Sequence, residues 1–349
     1  MSTLQRQLIA PFSHLVGQEK AKLFLGRALA SGQLAHAYLF RGPDGVGKQL
    51  FARSLAAAVN CRQRQALLPA AGESDWASLP CGHCSSCLKY SSGNQPDFMV
   101  ISPEKGTIKI DRIREMIQAL SYPPYESPSR VVLIEDIHTM RPEAANCLLK
   151  TLEEPPDKNL LILTASASRD ILTTISSRCQ MIPFFSLRQE ETVQVLMRVN
   201  PELEAETASL LARLSEGCPG QALILYRREM IAIWRQVVAL VSDPQKDSNR
   251  DVGLLLQAAE TMATLKEELL PLFGLLRIWL RDLLVAGFSG QTGQDRDTLD
   301  GGLPEIKQKR WNSRQLFDKL QAIDQAEKEL GRNCNRNLVC EVLLFQLQQ

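Results

Sequence analysis

At 349 residues the chain is long enough for two or three domains, and 44% hydrophobic with 23% charged residues is the balance of an ordinary globular protein. Lys+Arg 40 against Asp+Glu 39 excludes a global electrostatic pull toward nucleic acid or membrane and leaves any DNA contact to a local patch. No signal peptide opens the chain and no apolar run approaches the ~20 residues of a membrane span, so a cytoplasmic protein without membrane contact is expected.

The segment Pro11 to Glu19 precedes a helical pattern from Lys20 to Ser31. A capped surface helix and a flap over a nucleotide base both fit it. The apolar run Ala37-Tyr38-Leu39-Phe40 then leads into Gly42-Pro43-Asp44-Gly45-Val46-Gly47-Lys48-Gln49 and a helix-forming run from Leu50 to Val59. Strand, glycine-rich turn and helix form the context of a phosphate-binding loop. Backbone N–H groups turn inward there, the helix N-terminus adds its positive end, and Lys48 reaches the outer phosphates. The last position should carry a hydroxyl for Mg²⁺, and Gln49 stands there instead; an amide does not supply that small oxygen ligand at the same reach.

Cys61 follows, then a polar insertion, then Cys81-Gly82-His83-Cys84-Ser85-Ser86-Cys87. Three cysteines at consecutive three-residue steps, with Cys61 as the fourth, supply the thiolates of a closed, structural zinc site. His83 is the alternative ligand, and free buried thiols are the alternative without metal. The nine cysteines do not read as a disulfide framework.

Phe98 to Ile101 reads as a buried strand, Ile110 to Leu120 as a helix broken by Tyr122-Pro123-Pro124-Tyr125, and Arg130 to Ile134 as a strand buried on both faces. That strand ends in Glu135-Asp136, on the edge where the phosphate loop lies, a placement suited to Mg²⁺ or an attacking water. A helix from Glu143 to Leu152, a strand from Leu160 to Thr164, the segment Ile171 to Ser176, Ser177-Arg178-Cys179 and a strand from Gln180 to Phe184 complete a parallel three-layer α/β domain. From about Ser186 the strand pattern stops. Apolar runs of helical period follow at Ile231–Val241, Leu254–Ala263, Leu272–Val285 and Leu316–Leu347, with polar breaks at Ser242–Asp251 and Ser289–Gly302. Trp279 is expected in the core of this bundle.

These motifs together resemble the clamp-loader family of AAA+ ATPases, in particular the delta-prime subunits of bacterial DNA polymerase III. The resemblance rests on Leu15-Val16-Gly17-Gln18, His36 to Phe40, the phosphate loop, the four cysteines, Asn146 to Pro156 and Ser177-Arg178-Cys179, and it covers roughly residues 1–225 with specific motifs. Beyond that it rests on helical character and on Asn335 to Glu341, which resembles the final collar helix.

The resemblance implies a RecA-like AAA+ core (1–185) with a five-stranded parallel sheet and a zinc module at about 61–87. A helical lid (186–228) and an all-α collar domain (229–349) follow. It implies a hetero-pentamer with gamma/tau motor subunits and delta, which uses ATP to place a sliding clamp on primer–template DNA. Arg178 becomes an arginine finger directed at a neighbour's ATP, and Gln18, Gly42, Gly45, Val46, Gly47, Lys48 and Gln49, with Glu135 and Asp136, become a degenerate nucleotide site. Four departures from active relatives point to lost turnover: Gln49, the Glu135-Asp136 order, Thr164-Ala165-Ser166 at a polar sensor position, and Gln221 where an arginine is expected. The implied chain is a component of the polymerase holoenzyme with no polymerase site, little or no ATPase activity, and weak or absent ATP/ADP binding. The competing readings are an active motor subunit of the gamma/tau type and a nucleic-acid or zinc adaptor module outside replication.

Overall fold

A computed structural model describes residues 9–67, 75–227, 230–242, 249–266, 269–288, 311–332 and 334–348. The chain forms two compact units, Met1–Glu191 with Gly217–Gly220, and Thr192–Glu216 with Gln221–Gln349.

The first unit is built on five parallel strands: β1 (Ala37–Gly42), β2 (Phe98–Ile101), β3 (Arg130–Ile134), β4 (Asn159–Ser166) and β5 (Gln180–Pro183), in the order β2-β3-β4-β1-β5. Parallel pairing requires crossovers, and the sequence supplies helices for them: α1 (Glu19–Ser31) before β1, then α2 (Lys48–Val59), α3 (Arg62–Leu67), α4 (Ser85–Ser92), α5 (Ile110–Leu120), α6 (Pro142–Glu153) and the single turn α7 (Thr173–Ser176). Successive strand residues point to opposite faces, so the continuous apolar runs feed two cores. Tyr38, Phe40, Val131, Leu133, Leu160 and Ile162 pack with Leu25, Phe51 and Leu55 on one face. Ala37, Leu39, Val132, Ile134, Leu161 and Leu163 pack with Ile113, Met116, Leu148 and Leu152 on the other. The expected five-stranded parallel sheet between helices is therefore present. β2 differs from its expectation as a buried strand: it forms one edge of the sheet, and Phe98, Met99 and Val100 are only half-buried.

The second unit is helical in its described residues: α8 (Gln189–Val199) from Thr192 onward, α9 (Ala205–Leu214), α10 (Pro219–Arg227) from Gln221 onward, α11 (Met230–Ser242), α12 (Asn249–Thr264), α13 (Leu269–Phe288), α14 (Ser313–Gly331) and α15 (Arg336–Gln348). One apolar core runs through it, with Trp234, Phe273 and Trp279 buried among leucines. The run expected at Leu316–Leu347 is two helices. α14 closes at Gly331, and Asn335 opens α15 by accepting the Asn337 N–H at 3.0 Å. Most of the polar break Ser242–Asp251 and all of Ser289–Gly302 lie outside the described residues. No described helix is long and apolar enough to cross a membrane.

Asp97 fixes one end of the sheet. Its fully buried carboxylate accepts the backbone N–H groups of Tyr125 at 2.6 Å, Glu126 at 2.9 Å and Ser127 at 2.8 Å, and Arg130 lies 3.7 Å away. Burial alone would raise its pKa, but the N–H groups outweigh it and hold the carboxyl below its ordinary value. A depressed folded pKa gives stability that is present above the unfolded value and lost as pH falls through the folded one. Asp97→Asn is expected to cost about 2 kcal/mol at pH 7, and the gap to wild type should shrink below about pH 4. Urea unfolding of both proteins between pH 7 and pH 3 measures it, and a gap independent of pH would contradict this account.

Candidate functional site

β1 ends at Gly42 and α2 begins at Lys48, so the five residues between them turn the chain over the end of the strand. Gly45 (φ 81°) and Gly47 (φ 103°) occupy the left-handed region that a side chain resists. Gly42 runs against Phe184, whose Cβ would lie 2.6 Å from any Cβ placed on the glycine. Gly220 donates its N–H to the Gly45 carbonyl at 2.8 Å, so a second turn braces the loop. Lys48 is buried and folded onto its own loop, donating to the carbonyls of Gly42 at 2.6 Å and Pro43 at 2.7 Å, with Asp44 Oδ1 at 3.4 Å. Val46 is buried beneath the loop, and Gln49 is exposed.

The two carboxylates after β3 have separate fates. Glu135 is buried, with Oε1 paired to Arg53 of α2 at 2.9 Å and Oε2 accepting the Ser102 hydroxyl at 2.7 Å. Asp136 adopts a left-handed backbone (φ 52°), and its N–H donates to Thr164 Oγ1 at 3.1 Å. Burial pushes its carboxyl above the ordinary value; His138 and Lys48 oppose the shift, and Asp44 adds to it. Asp136 is therefore close enough to feel the charges of Asp44 and Lys48, which themselves meet at 3.4 Å. The loop has the glycines and the lysine of a phosphate cradle, but the donor set does not fit the metal ion of a nucleotide. Both Glu135 oxygens are engaged, and Gln49 offers an amide in place of a hydroxyl.

Gln18 stands at the N-terminus of α1 with φ 58°, and its side-chain amide makes two bonds to the Phe185 backbone, donating to the carbonyl at 2.5 Å and accepting the N–H at 3.1 Å. The amide thus ties the N-terminal segment to the chain leaving β5.

Arg178 lies at the other end of the sheet. It precedes β5, whose Gln180 is in register with Tyr38, whereas the phosphate loop begins past Gly42 at the far end of β1. At ~3.3 Å per strand residue the two are about 20 Å apart, beyond the reach of a side chain. The Arg178 side chain is about one-third exposed; its Nε donates to Glu153 Oε1 at 2.8 Å and its Nη1 to the Thr174 carbonyl at 3.0 Å.

Cys61, at the end of α2, meets Cys81, Cys84 and Cys87 at the start of α4, and all four sulfurs lie within 4.8 Å of one another. A tetrahedron with ~2.3 Å metal–sulfur bonds separates its sulfurs by about 3.8 Å, and the Cys81 and Cys87 sulfurs are 3.9 Å apart. The cluster could hold a metal ion. The Cys84 N–H reaches the Cys81 sulfur at 3.4 Å, and the Cys87 N–H reaches that of Cys84 at 3.5 Å. The Cys61 thiol is lowered to about 4, chiefly by the Cys87 hydrogen bond and then, against burial, by backbone N–H groups of Cys81 and Arg64; Cys87 moves up in return. The exposed His83 turns its Nδ1 to the Cys81 carbonyl at 2.9 Å, so among the described residues the cluster is the four cysteines.

The sequence reading missed Arg53 and Ser102. The signal for Arg53 was a charge set among the buried Phe51, Ala52, Ser54 and Leu55 of α2, which called for a buried partner. Ser102 carries no such mark. A methyl group on Gly220 would come within 2.8 Å of Gly45 Cα and 2.9 Å of its carbonyl, and backbone cannot yield as a side-chain tip does. Gly220→Ala is expected to destabilise the protein by 1–3 kcal/mol, read as a drop of several degrees in melting temperature. Unchanged melting would show the brace to be slack.

The family model described as "DNA polymerase III, delta subunit" matches residues 17–188. The chain is 33% identical over 218 residues to DNA polymerase III subunit tau of Escherichia coli, covering 61% of this chain and 32% of that one. It thus spans about a third of that relative's length. A solved gamma subunit-related protein from Thermotoga maritima aligns at 18% identity with a TM-score of 0.46, covering 93% of this chain and 97% of that one. The DNA polymerase III delta' subunit of Pseudomonas aeruginosa is 30% identical over 324 residues, covering 90% of this chain and 92% of the relative. With the match running through the phosphate loop, the cysteine cluster and the helical unit alike, the chain belongs to the family of DNA polymerase III delta-prime subunits.

Proposed function

We propose that this chain is the stator subunit of a bacterial clamp loader, donating Arg178 to an ATP held by a neighbouring subunit. The observation that carries the reading is the position of Arg178, at the end of the sheet opposite its own phosphate loop, with its guanidinium at the surface. A guanidinium placed there can act only on a phosphate outside this chain. A fixed arginine beside developing phosphate charge is worth roughly 10³–10⁵ in rate, which couples a neighbour's hydrolysis to assembly. The surface pair with Glu153 is the kind of exposed contact worth about 0–1 kcal/mol and is readily exchanged for a phosphate.

In this reading the chain's own site binds ATP or ADP weakly or not at all and does not turn it over. The engaged Glu135 and the exposed Gln49 support that. The core spans residues 1–185, the lid 186–228, and the collar 229–349 holds the hetero-pentamer of gamma/tau motors and delta. The assembly acts in the cytoplasm on the sliding clamp and primer–template DNA. The metal at Cys61, Cys81, Cys84 and Cys87 is zinc, held by four thiolates with no open position and therefore structural. The gamma/tau-type motor has one point in its favour, the likeness to tau together with an intact Lys48.

The test is ATP turnover by the reconstituted loader with clamp and primed DNA, with Arg178→Ala in this chain alone. A loss of a large share of turnover, with assembly intact by size-exclusion chromatography, is expected; unchanged turnover would make Arg178 structural. For the metal, the purified chain should carry about one zinc by elemental analysis. Cys87→Ser should lose most of it and lower the melting temperature, whereas full occupancy in the variant would remove Cys87 from the ligand set.

A further inference from the structure

Within the reading that this chain has lost its own turnover, we propose that Asp44 is a resident anion of the phosphate loop. Its carboxylate helps keep Lys48 inside its own loop and lowers the loop's affinity for the phosphates of a nucleotide.

Three observations converge. Lys48 Nζ has three partners, the Gly42 and Pro43 carbonyls and Asp44 Oδ1, matching its three hydrogens, so an incoming phosphate must displace one of them. Asp44 is the charged member of that set and the accessible one: its side chain is 56% exposed against 6% for Lys48. It is therefore the partner of Lys48 that solvent, and an incoming anion, can reach. The surrounding charge adds to the effect. Lys48 contacts Asp44, Asp136 lies close enough for its charge to act on the same pair, and Arg53 is already matched by Glu135. A polyphosphate entering the loop thus meets one lysine and two carboxylates, and repulsion between unit charges a few ångströms apart remains substantial even in a solvated setting. Asp44 is the carboxylate to neutralise, because it is the one of the two in contact with Lys48, at 3.4 Å.

The role assigned to Asp44 concerns affinity, and the test is equilibrium titration of the full-length chain with ATP carrying a fluorescent N-methylanthraniloyl group. Wild type, Asp44→Asn and Asp44→Ser are compared, each with Mg²⁺ and with EDTA. Both variants are expected to bind about tenfold more tightly than wild type, with a gain that shrinks as salt rises from 50 to 500 mM and with competition by inorganic pyrophosphate. Lys48→Ala in the Asp44→Asn background should abolish the gain. Equal or weaker binding by both folded variants, checked by melting temperature and circular dichroism, would overturn the proposal. So would a gain that survives Lys48→Ala. Steady hydrolysis by the isolated wild-type chain would instead refute the stator reading and leave the affinity comparison standing.

Discussion

The parallel register of β1 with β4 and β5 is the constraint on which the rest of this molecule depends. Strands that run the same way place all their C-terminal ends along one edge of the sheet and all their N-terminal ends along the other. The phosphate loop, Glu135 and Asp136 follow C-terminal ends and Ser166 closes one, whereas Asp97, Ser129 and Arg178 precede N-terminal ones. No rotamer moves a residue from one edge to the other. Each edge therefore answers to a different chemistry, one facing inward on the chain's own loop and the other outward.

At the loop edge, groups that would otherwise serve a ligand are satisfied from within. Lys48 bonds to its own loop, Glu135 to Arg53 and Ser102, the Asp136 N–H to Thr164, and the Gly45 carbonyl to Gly220. A buried polar group left without a partner is destabilising, so these internal contacts stabilise the loop edge. The arrangement at the opposite edge differs. Arg178 is held by an exposed carboxylate and a helix-end carbonyl, contacts that exchange with water at little free-energy difference.

The parts legible in the sequence were those with local signatures. Continuous apolar runs gave β1, β3 and β4, because strands covered on both faces need no polar alternation, whereas β2 and β5 lie at the edges and are covered only in part. Three-residue spacing gave the cysteine cluster, and a glycine-rich turn between strand and helix gave the loop. What escaped was long-range or neutral in pattern. Gln18 meets Phe185 across 167 positions and Arg53 meets Glu135 across 82, and no periodicity encodes such a pairing. The edge position of β2 was hidden because an apolar run tells that a strand is covered, while its place in the sheet order comes from topology. The break between α14 and α15 was hidden for a geometric reason: the four residues from Arg332 to Asn335 amount to about one helical turn, so the apolar phase continues across it as though the helix did.

A metal ion held by the cysteine cluster would also act on the chain when it is not folded. Cys61 and Cys87 bracket a segment of about 26 residues, and a metal that kept them together in the denatured ensemble would remove loop-closure entropy worth about 3.5 kcal/mol, on the model used for cross-links. That contribution is comparable in size to a fair fraction of a domain's net stability. It reaches the rest of the first unit through packing, since the Trp76 indole lies against Gly26 of α1 and the Leu79 carbonyl accepts the Phe12 N–H at 2.8 Å. Metal supply during synthesis would then act as a folding checkpoint, limiting how much of the chain reaches a form able to assemble.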